Sequence, residues 1–313
     1  MRSLITGATG FAGRALTAHL QSSGDEVIAW SRANGDPDIR NRRHVFEALK
    51  EAAPEVVYHL AAQSNIPESW TNPEKTKETN VDGTQNILDA AMETGSMRVI
   101  VVTSAAVYGA VPPEELPVTE ESPIQPKNPY AESKVAAENA AVAASEQGLD
   151  VIRIRAFNHF GPGQSPSFVS SGFAHRIARA SRSGIETVDV GNLATRRDFT
   201  DVRDVVKAYR QAATDGESGA VYNVCSGVDR SMLEIAEGLV RRSGSRISFK
   251  LYPALERPVD TPVVRGSAKR LYDRTGWEPT ISFDQSLDDI YQDALTNVIA
   301  ETSDAGQDRD RNR

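Results

Sequence analysis

Short apolar runs alternate with helical segments from the first residues, and this alternation restricts the fold more than any other feature of the chain. Leu4-Ile5-Thr6 precedes helical spacing over Phe11 to Ser22, and Val27 to Trp30 precedes a second helix over Asn41 to Ala53. Val56 to Ala62 (VVYHLAA) and Val99 to Thr103 (VIVVT) are strand-like runs separated by a helical stretch from Pro73 to Glu93. An Ala-rich helix from Tyr130 to Glu146 leads into a further run, Val151 to Ala156. Strands alternating with helices of roughly 10–15 residues build βαβ units. Runs this uniformly apolar need burial on both faces, which predicts an α/β fold with a doubly wound parallel sheet.

Beyond Ala156 the pattern loosens into a Gly/Pro/Ser loop over 161–172, then a helix to about Arg182. It returns to βαβ style over Asp201 to Ala213 and Val221 to Val224, and closes with an amphipathic helix from Phe283 to Ile299. The last residues, SDAGQDRDRNR, lack the apolar content that would bury them and are expected to be disordered.

Lys plus Arg number 35 against 43 Asp plus Glu, a net charge of −8. That balance lacks the basic footprint of a nucleic-acid or anionic-membrane binder, so any phosphate must be held by a local site. The one cysteine, Cys225, excludes an intramolecular disulfide and suits a reducing compartment. No apolar run approaches the 18 or so residues of a membrane span, and Leu4-Ile5 is too short for a signal peptide. We expect a soluble, cytoplasmic protein.

Gly7-Ala8-Thr9-Gly10-Phe11-Ala12-Gly13 follows the first strand and opens the first helix. Glycines there permit a tight turn and a close approach of backbone to a pyrophosphate, and they aim a helix N-terminus at its charge. The context, strand then glycine loop then helix, supports dinucleotide binding and a Rossmann domain. We therefore divide the chain into a dinucleotide-binding domain (1–157 and 196–224), a smaller mixed α/β C-terminal substrate lobe (158–195 and 225–299) and a tail (300–313).

Tyr130 and Lys134 stand four apart at the start of a helix, hence on one face. A phenol of ordinary pKa about 10 is a poor acid or base near neutrality, and an ammonium one turn away is expected to bring it down. Ser104 ends the VIVVT run, where ligands of open α/β sheets bind, and its hydroxyl suits polarising a carbonyl. At the end of the second strand stand Ser31 and Arg32, with no carboxylate before Asp36. Arg there accommodates a 2′-phosphate, so we expect NADPH, with NADH as the alternative. Arg197 and Arg257 are suited to bidentate pairing with a diphosphate, and Asn158 to a polar contact. His59 ends an apolar run and reads as a hydrogen-bonded core histidine. His19, His44, His159 and His175 do not cluster, and no metal site is expected.

These segments, with HLAA at 59–62, TNVDGT around Asn80, TSAAVYG at 103–109, RAFNHFGPG around Asn158 and Arg197-Asp198-Phe199, resemble the extended, nucleotide-sugar branch of the short-chain dehydrogenase/reductase superfamily. The resemblance implies a catalytic Ser104, Tyr130 and Lys134. It implies cofactor contacts from Gly7, Thr9, Gly10, Phe11, Ala12, Gly13, Ser31, Arg32, Asp38, Ile39, Leu60, Ala61, Ala62 and Asn80, together with Tyr130 and Lys134. It further implies substrate contacts from Ser64, Ser104, Asn158, Arg197 and Arg257, and a homodimer through the Ala-rich helix. Asn80 resembles the family's active-site asparagine, with pinning of backbone as the alternative. Only five residues separate Arg32 from Asp38, where the family usually has a third strand.

In that branch, dehydratases carry carboxylates just after the catalytic Ser/Thr, and the enzymes that invert C3 and C5 carry a cysteine there. This chain has Ala105 and Ala106. Neither can act as acid or base in an elimination, which leaves 4-keto reduction or 4-epimerisation through a transient ketone. SRANGDPDIR, HLAAQSNIPESW, FNHFGPGQSPSFV, GNLATRRDFTDVRDVVKAY, YNVCSG and ERPVDTPVVRGSAKRL resemble the GDP-4-keto-6-deoxy-D-mannose reductases of the branch. A GDP-linked 4-keto-6-deoxy sugar is then the implied substrate, and a GDP-mannose 4,6-dehydratase the implied functional partner. The alternatives are a UDP-hexose 4-epimerase with retained NAD, and a non-catalytic nucleotide sensor on the same fold.

Overall fold

The computed structural model describes residues 1–32, 35–95, 97–255 and 261–311. Six strands form one parallel sheet in the order β2-β1-β3-β4-β5-β9: β1 (Arg2–Thr6), β2 (Glu26–Trp30), β3 (Val56–His59), β4 (Arg98–Ser104), β5 (Asp150–Ala156) and β9 (Val221–Val224). Between them run α1 (Phe11–Ser22), α2 (Arg42–Ala52), α3 (Ile66–Thr71), α4 (Pro73–Lys77), α5 (Gly83–Thr94), α6 (Pro129–Glu146) and, before β9, α8 (Val202–Asp215).

Adjacent residues of each strand feed opposite cores, as the period-2 geometry of a strand requires. Ile5, Tyr58, Ile100 and Ile152 meet α1 and α8 through Leu16, Leu20, Val205 and Tyr209. Their neighbours Leu4, Val57, Val99 and Val151 meet Val45, Leu49, Ile87 and Ala141 on the other face. Burial of both faces is the physical reason the runs could be so uniformly apolar.

The chain passes from β1 outward to β2, then returns across β1 to β3. That reversal opens a crevice at the carboxyl ends of β1 and β3, where ligands of such sheets bind. Among the described residues no strand stands between β2 and α2, and β2 is the edge strand of the sheet. The helical stretch expected over 73–93 holds a π turn, Glu78–Asp82, between α4 and α5.

The second lobe contains β6 (Asn158–Phe160), α7 (Val169–Ser183), β7 (Thr187–Val190), β8 (Arg196–Asp201), β10 (Asp229–Ser231), α9 (Met232–Ser243), β11 (Ser248–Leu251), β12 (Val263–Val264), α10 (Lys269–Thr275) and α11 (Phe283–Arg311). Phe160, Phe173, Ile177, Phe199, Ile235, Leu239 and Leu287 form its core. β8 pairs with β10, β12 and β6 in a sheet of its own, and the return to the central sheet begins at α8. Its start, Arg-Arg-Asp, is too polar for a central strand. The final helix also runs past Ile299 to Arg311, although 300–313 was expected to be disordered. Low apolar content argues against core burial, but the segment holds no proline to stop a helix.

Candidate active site

Gly7 adopts φ +73°, and a Cβ there would lie 2.9 Å from the backbone of Ala61. A Cβ on Gly13 would overlap the Gly7 carbonyl oxygen and sit 2.8 Å from Ala8 Cα. The glycines therefore let the β1–α1 turn close against the β3 end, Leu60 to Ala62. α1 starts with Gly10 as its N-cap, without a side-chain cap and without an acidic residue in its first turn. Its amide end thus faces the crevice with no competing anion, a fit for a pyrophosphate.

At the end of β2, Thr9 Oγ1 and Ser31 Oγ share a hydrogen bond of 2.6 Å, and Asp36 accepts from the Ser31 amide at 2.8 Å. Arg32 is largely exposed, its guanidinium 3.7 Å from Asp38. Asp38 is held by Arg40 at 2.6 Å, and that pairing brings its carboxyl down to about 2. Ile39 is buried under Gly83, and its carbonyl accepts from Asn86 at 2.9 Å. Arg40 is a second cation on Asp38, beside Arg32, that was not anticipated from sequence; its spacing from Asp38 was the available signal.

His59 bonds to Thr6 Oγ1 at 2.8 Å and Thr84 Oγ1 at 3.0 Å. Burial, aided by Lys134, lowers its pKa to about 3, so it stays neutral: a satisfied core histidine. Asn80, on the π turn, donates to Gln63 O and Ser133 Oγ, both at 2.9 Å, and accepts from the Gln63 amide at 2.8 Å. These bonds pin the 60–65 segment to α6. Ser64, on the same segment, is exposed.

Ser104 ends β4, and its Oγ accepts from the Ala106 amide at 3.1 Å. Asn128 caps α6 through the Ala131 amide at 2.8 Å, which places Tyr130 in its first turn. Tyr130 is buried, with the Ser104 hydroxyl as its one polar influence. Lys134, also buried, donates to the Val102 carbonyl at 3.0 Å. Burial raises the Tyr130 pKa, with the Ser104 hydroxyl acting against it. Burial likewise lowers Lys134 to about 8. The phenol was expected to be brought down; burial, the largest cause, moves it up instead.

Across the crevice, Asn158 is exposed on β6, in register with Phe199. Arg197 on β8 donates to the Thr261 carbonyl at 2.6 Å. Its neighbour Asp198 faces inward and accepts from Ser226, Gly227 and Gly266. Arg257 lies outside the described residues. Two contacts unanticipated from sequence join the lobes: Arg14 donates to Thr9 O at 2.6 Å and Gly163 O at 2.7 Å, and His159 stacks on Phe11 with centroids 5.9 Å apart. Only adjacency to the glycine motif could have signalled Arg14. Among the described residues no group of three or more His, Cys, Asp or Glu is placed to hold a metal, and no helix is long and apolar enough to cross a membrane.

The chain is similar to known proteins along nearly its whole length. It is 38% identical to GDP-6-deoxy-D-mannose reductase of Pseudomonas aeruginosa over 309 residues, covering 96% of this chain and 99% of that one. It is 29% identical to UDP-glucose 4-epimerase of Mycolicibacterium smegmatis, over 92% of this chain and 96% of that one. Among solved structures, RMD from Pseudomonas aeruginosa complexed with NADPH superposes with a TM-score of 0.86 at 36% identity, covering 94% of this chain and 99% of the other. Residues 3–225 match the model of the NAD dependent epimerase/dehydratase family. With that match spanning the crevice, the glycine turn and the Ser104–Tyr130–Lys134 group, the chain belongs to the NAD dependent epimerase/dehydratase family.

Proposed function

We infer that this protein reduces the C4 ketone of GDP-4-keto-6-deoxy-D-mannose to the alcohol of GDP-6-deoxy-D-mannose, with NADPH as reductant. The observation that carries the reading is a buried tyrosine under the influence of the Ser104 hydroxyl, with Ala105 and Ala106 following that serine. That set can deliver one proton to a carbonyl oxygen and offers no acid–base pair for dehydration. The similarity to a GDP-6-deoxy-D-mannose reductase supports the choice among the activities of the family.

NADPH, when bound, supplies the hydride that C4 accepts. Tyr130 gives its phenolic proton to the carbonyl oxygen as that bond becomes an alcohol. Ser104 would fix the oxygen, its hydroxyl and the phenol sharing the same substrate atom. A raised pKa keeps Tyr130 protonated across the neutral range, which suits a general acid. Lys134, on the same face of α6 as Tyr130, would counter the phenolate charge that proton transfer leaves. The glycine turn and the start of α1 would hold the pyrophosphate, and Arg32 the 2′-phosphate. Arg197, Asn158, Ser64 and Arg257 would hold the sugar nucleotide. Because Ala105 and Ala106 cannot eliminate water, a separate dehydratase must supply the ketone. The two-part division of the chain, a cytoplasmic location and a homodimer through the small residues of α6 belong to the same reading.

The test is incubation of purified protein with NADPH and a panel of 4-keto-6-deoxy sugar nucleotides, following absorbance at the nicotinamide band and product identity. Stoichiometric NADPH loss with GDP-6-deoxy-D-mannose formation is expected. Tyr130→Phe should cut turnover by about 10²–10⁴ with cofactor affinity nearly intact. Interconversion of UDP-hexoses without net cofactor loss would establish the epimerase instead, and binding without any turnover a sensor.

A further inference from the structure

Tyr130 and Lys134 are not the only chemically loaded residues on their face of α6. One more turn along stands Glu138, whose side chain is 3% exposed. Its carboxylate takes both Nε and Nη2 of Arg155, itself 4% exposed, with Nε 3.1 Å from each oxygen. It also lies 3.2 Å from Thr103 Oγ1, whose one proton it shares with the Ile154 carbonyl at 3.0 Å. The last three residues of β4 thus face one side of one helix. Val102 accepts from Lys134, Thr103 donates toward Glu138, and the Ser104 hydroxyl acts on Tyr130.

Arg155 extends the tie past Ser104. It lies beside Thr103 on the neighbouring strand, and it donates to Tyr108 Oη and to the Glu120 carbonyl, both at 3.0 Å. Tyr108 in turn donates to Asn223 Oδ1 at 2.7 Å. Ser104 is therefore flanked by anchored groups, Thr103 before it and the Ala105–Tyr108 turn after it. A buried ion pair is seldom worth more to stability than well-packed apolar residues of the same volume. Its position at the end of β4 gives it another use.

We propose that Glu138 is a positioning residue of the reductase reading, which through Thr103 and Arg155 sets the Ser104 hydroxyl against the Tyr130 phenol. Glu138 touches neither substrate nor reacting atoms. Displacement of a reacting group by about 1 Å costs on the order of 10²-fold in rate, so a tie of one hydrogen bond beside Ser104 is large enough to matter. The inference rests on the catalytic roles given above to Ser104 and Tyr130.

Thr103→Val removes the hydroxyl shared by Glu138 and the Ile154 carbonyl, at nearly constant volume in a strand that favours valine, and leaves the ion pair whole. Thr103→Ser restores the hydroxyl, and Glu138→Gln keeps an acceptor for Thr103 while removing the negative charge that pairs with Arg155. Each variant would be assayed for kcat, for KM of the 4-keto substrate, for NADPH Kd by fluorescence titration and for melting temperature. Thr103→Val should lose about tenfold in kcat, with KM and NADPH Kd unchanged within twofold, and Thr103→Ser should recover most of the loss. Glu138→Gln should lower kcat and melting temperature together. A Thr103→Val enzyme with wild-type kcat overturns the proposal, as does a kcat loss that Thr103→Ser fails to recover. If Tyr130→Phe also keeps its rate, the catalytic reading itself has failed. If Tyr130→Phe is dead while Thr103→Val is normal, only the positioning role has.

Discussion

Replacing Lys134 with methionine should make the cofactor-free protein more stable at neutral pH while removing its activity. Lys134 sits at about 8 instead of the ordinary 10.5, because burial disfavours its charge. The gap of 2.5 units, at 1.36 kcal/mol each, corresponds to about 3 kcal/mol of destabilisation wherever the folded protein must carry the ammonium. Methionine fills similar volume without charge, but gives up the hydrogen bond to the Val102 carbonyl, worth about 1 kcal/mol. Lys134→Met should therefore gain about 2 kcal/mol at pH 7. The sign of the pH dependence follows from the protons bound. Between pH 8 and 10.5 the folded chain has shed the Lys134 proton and the unfolded chain has not. Wild-type stability accordingly rises with pH relative to the variant across that window, and the advantage of methionine disappears. Urea unfolding of both proteins without cofactor, followed by circular dichroism at pH 7 and pH 10, measures the difference directly. A variant less stable than wild type by the same margin at both pH values would refute the argument, since it would mean that Lys134 titrates normally. An active site that holds an ammonium out of water costs stability in this way and keeps it for function.

Arg32→Asp should move preference from NADPH toward NADH by about tenfold or more, the worth of one charge-assisted contact, because the exposed guanidinium near Asp38 is the cation at the end of β2; fluorescence titration with both dinucleotides checks it, and an unchanged Kd ratio counts against it. Gly13→Ala should weaken binding of either dinucleotide and destabilise the fold by about 1–3 kcal/mol, since the new Cβ meets Gly7 and Ala8 backbone; calorimetric binding together with a melting curve reads both. Asp204→Asn should cost about 2–4 kcal/mol, because this buried carboxylate accepts from the Thr280 and Ile281 amides, Thr280 Oγ1 and Lys207. Burial raises its pKa, but those donors outweigh it and the net value is lowered from 3.8; its stabilisation is therefore present above pH 4 or so and lost as the pH falls further, and acid titration of wild type against variant tests the window.

The alternation of apolar runs and helices was sufficient to establish the parallel sheet, because burial on both faces leaves a signature in every strand. Leu4 and Ile5, or Val99 and Ile100, each serve a different core, so neither face could be polar. The glycine turn was equally legible, since only glycine permits the approach of Gly7 to Ala61 and of Gly13 to Gly7. Tyr130 and Lys134 could be paired from spacing alone, as helix geometry sets their common face. What spacing could not supply was the environment of each group. That burial outweighs every polar neighbour of the tyrosine, and that Lys134 bonds to Val102, distant in sequence, could not be read from a four-residue spacing. The assignment of β8 to a separate sheet depends on its pairing with β6, β10 and β12, which no local pattern encodes. Glu138 escaped notice for the same reason: a glutamate on an alanine-rich helix looks like a solvated residue until Arg155 and Thr103 are folded against it. Sequence determined which residues could do chemistry. Desolvation and partners, which are properties of the folded interior, decided the charge each carries and which neighbour holds it in place.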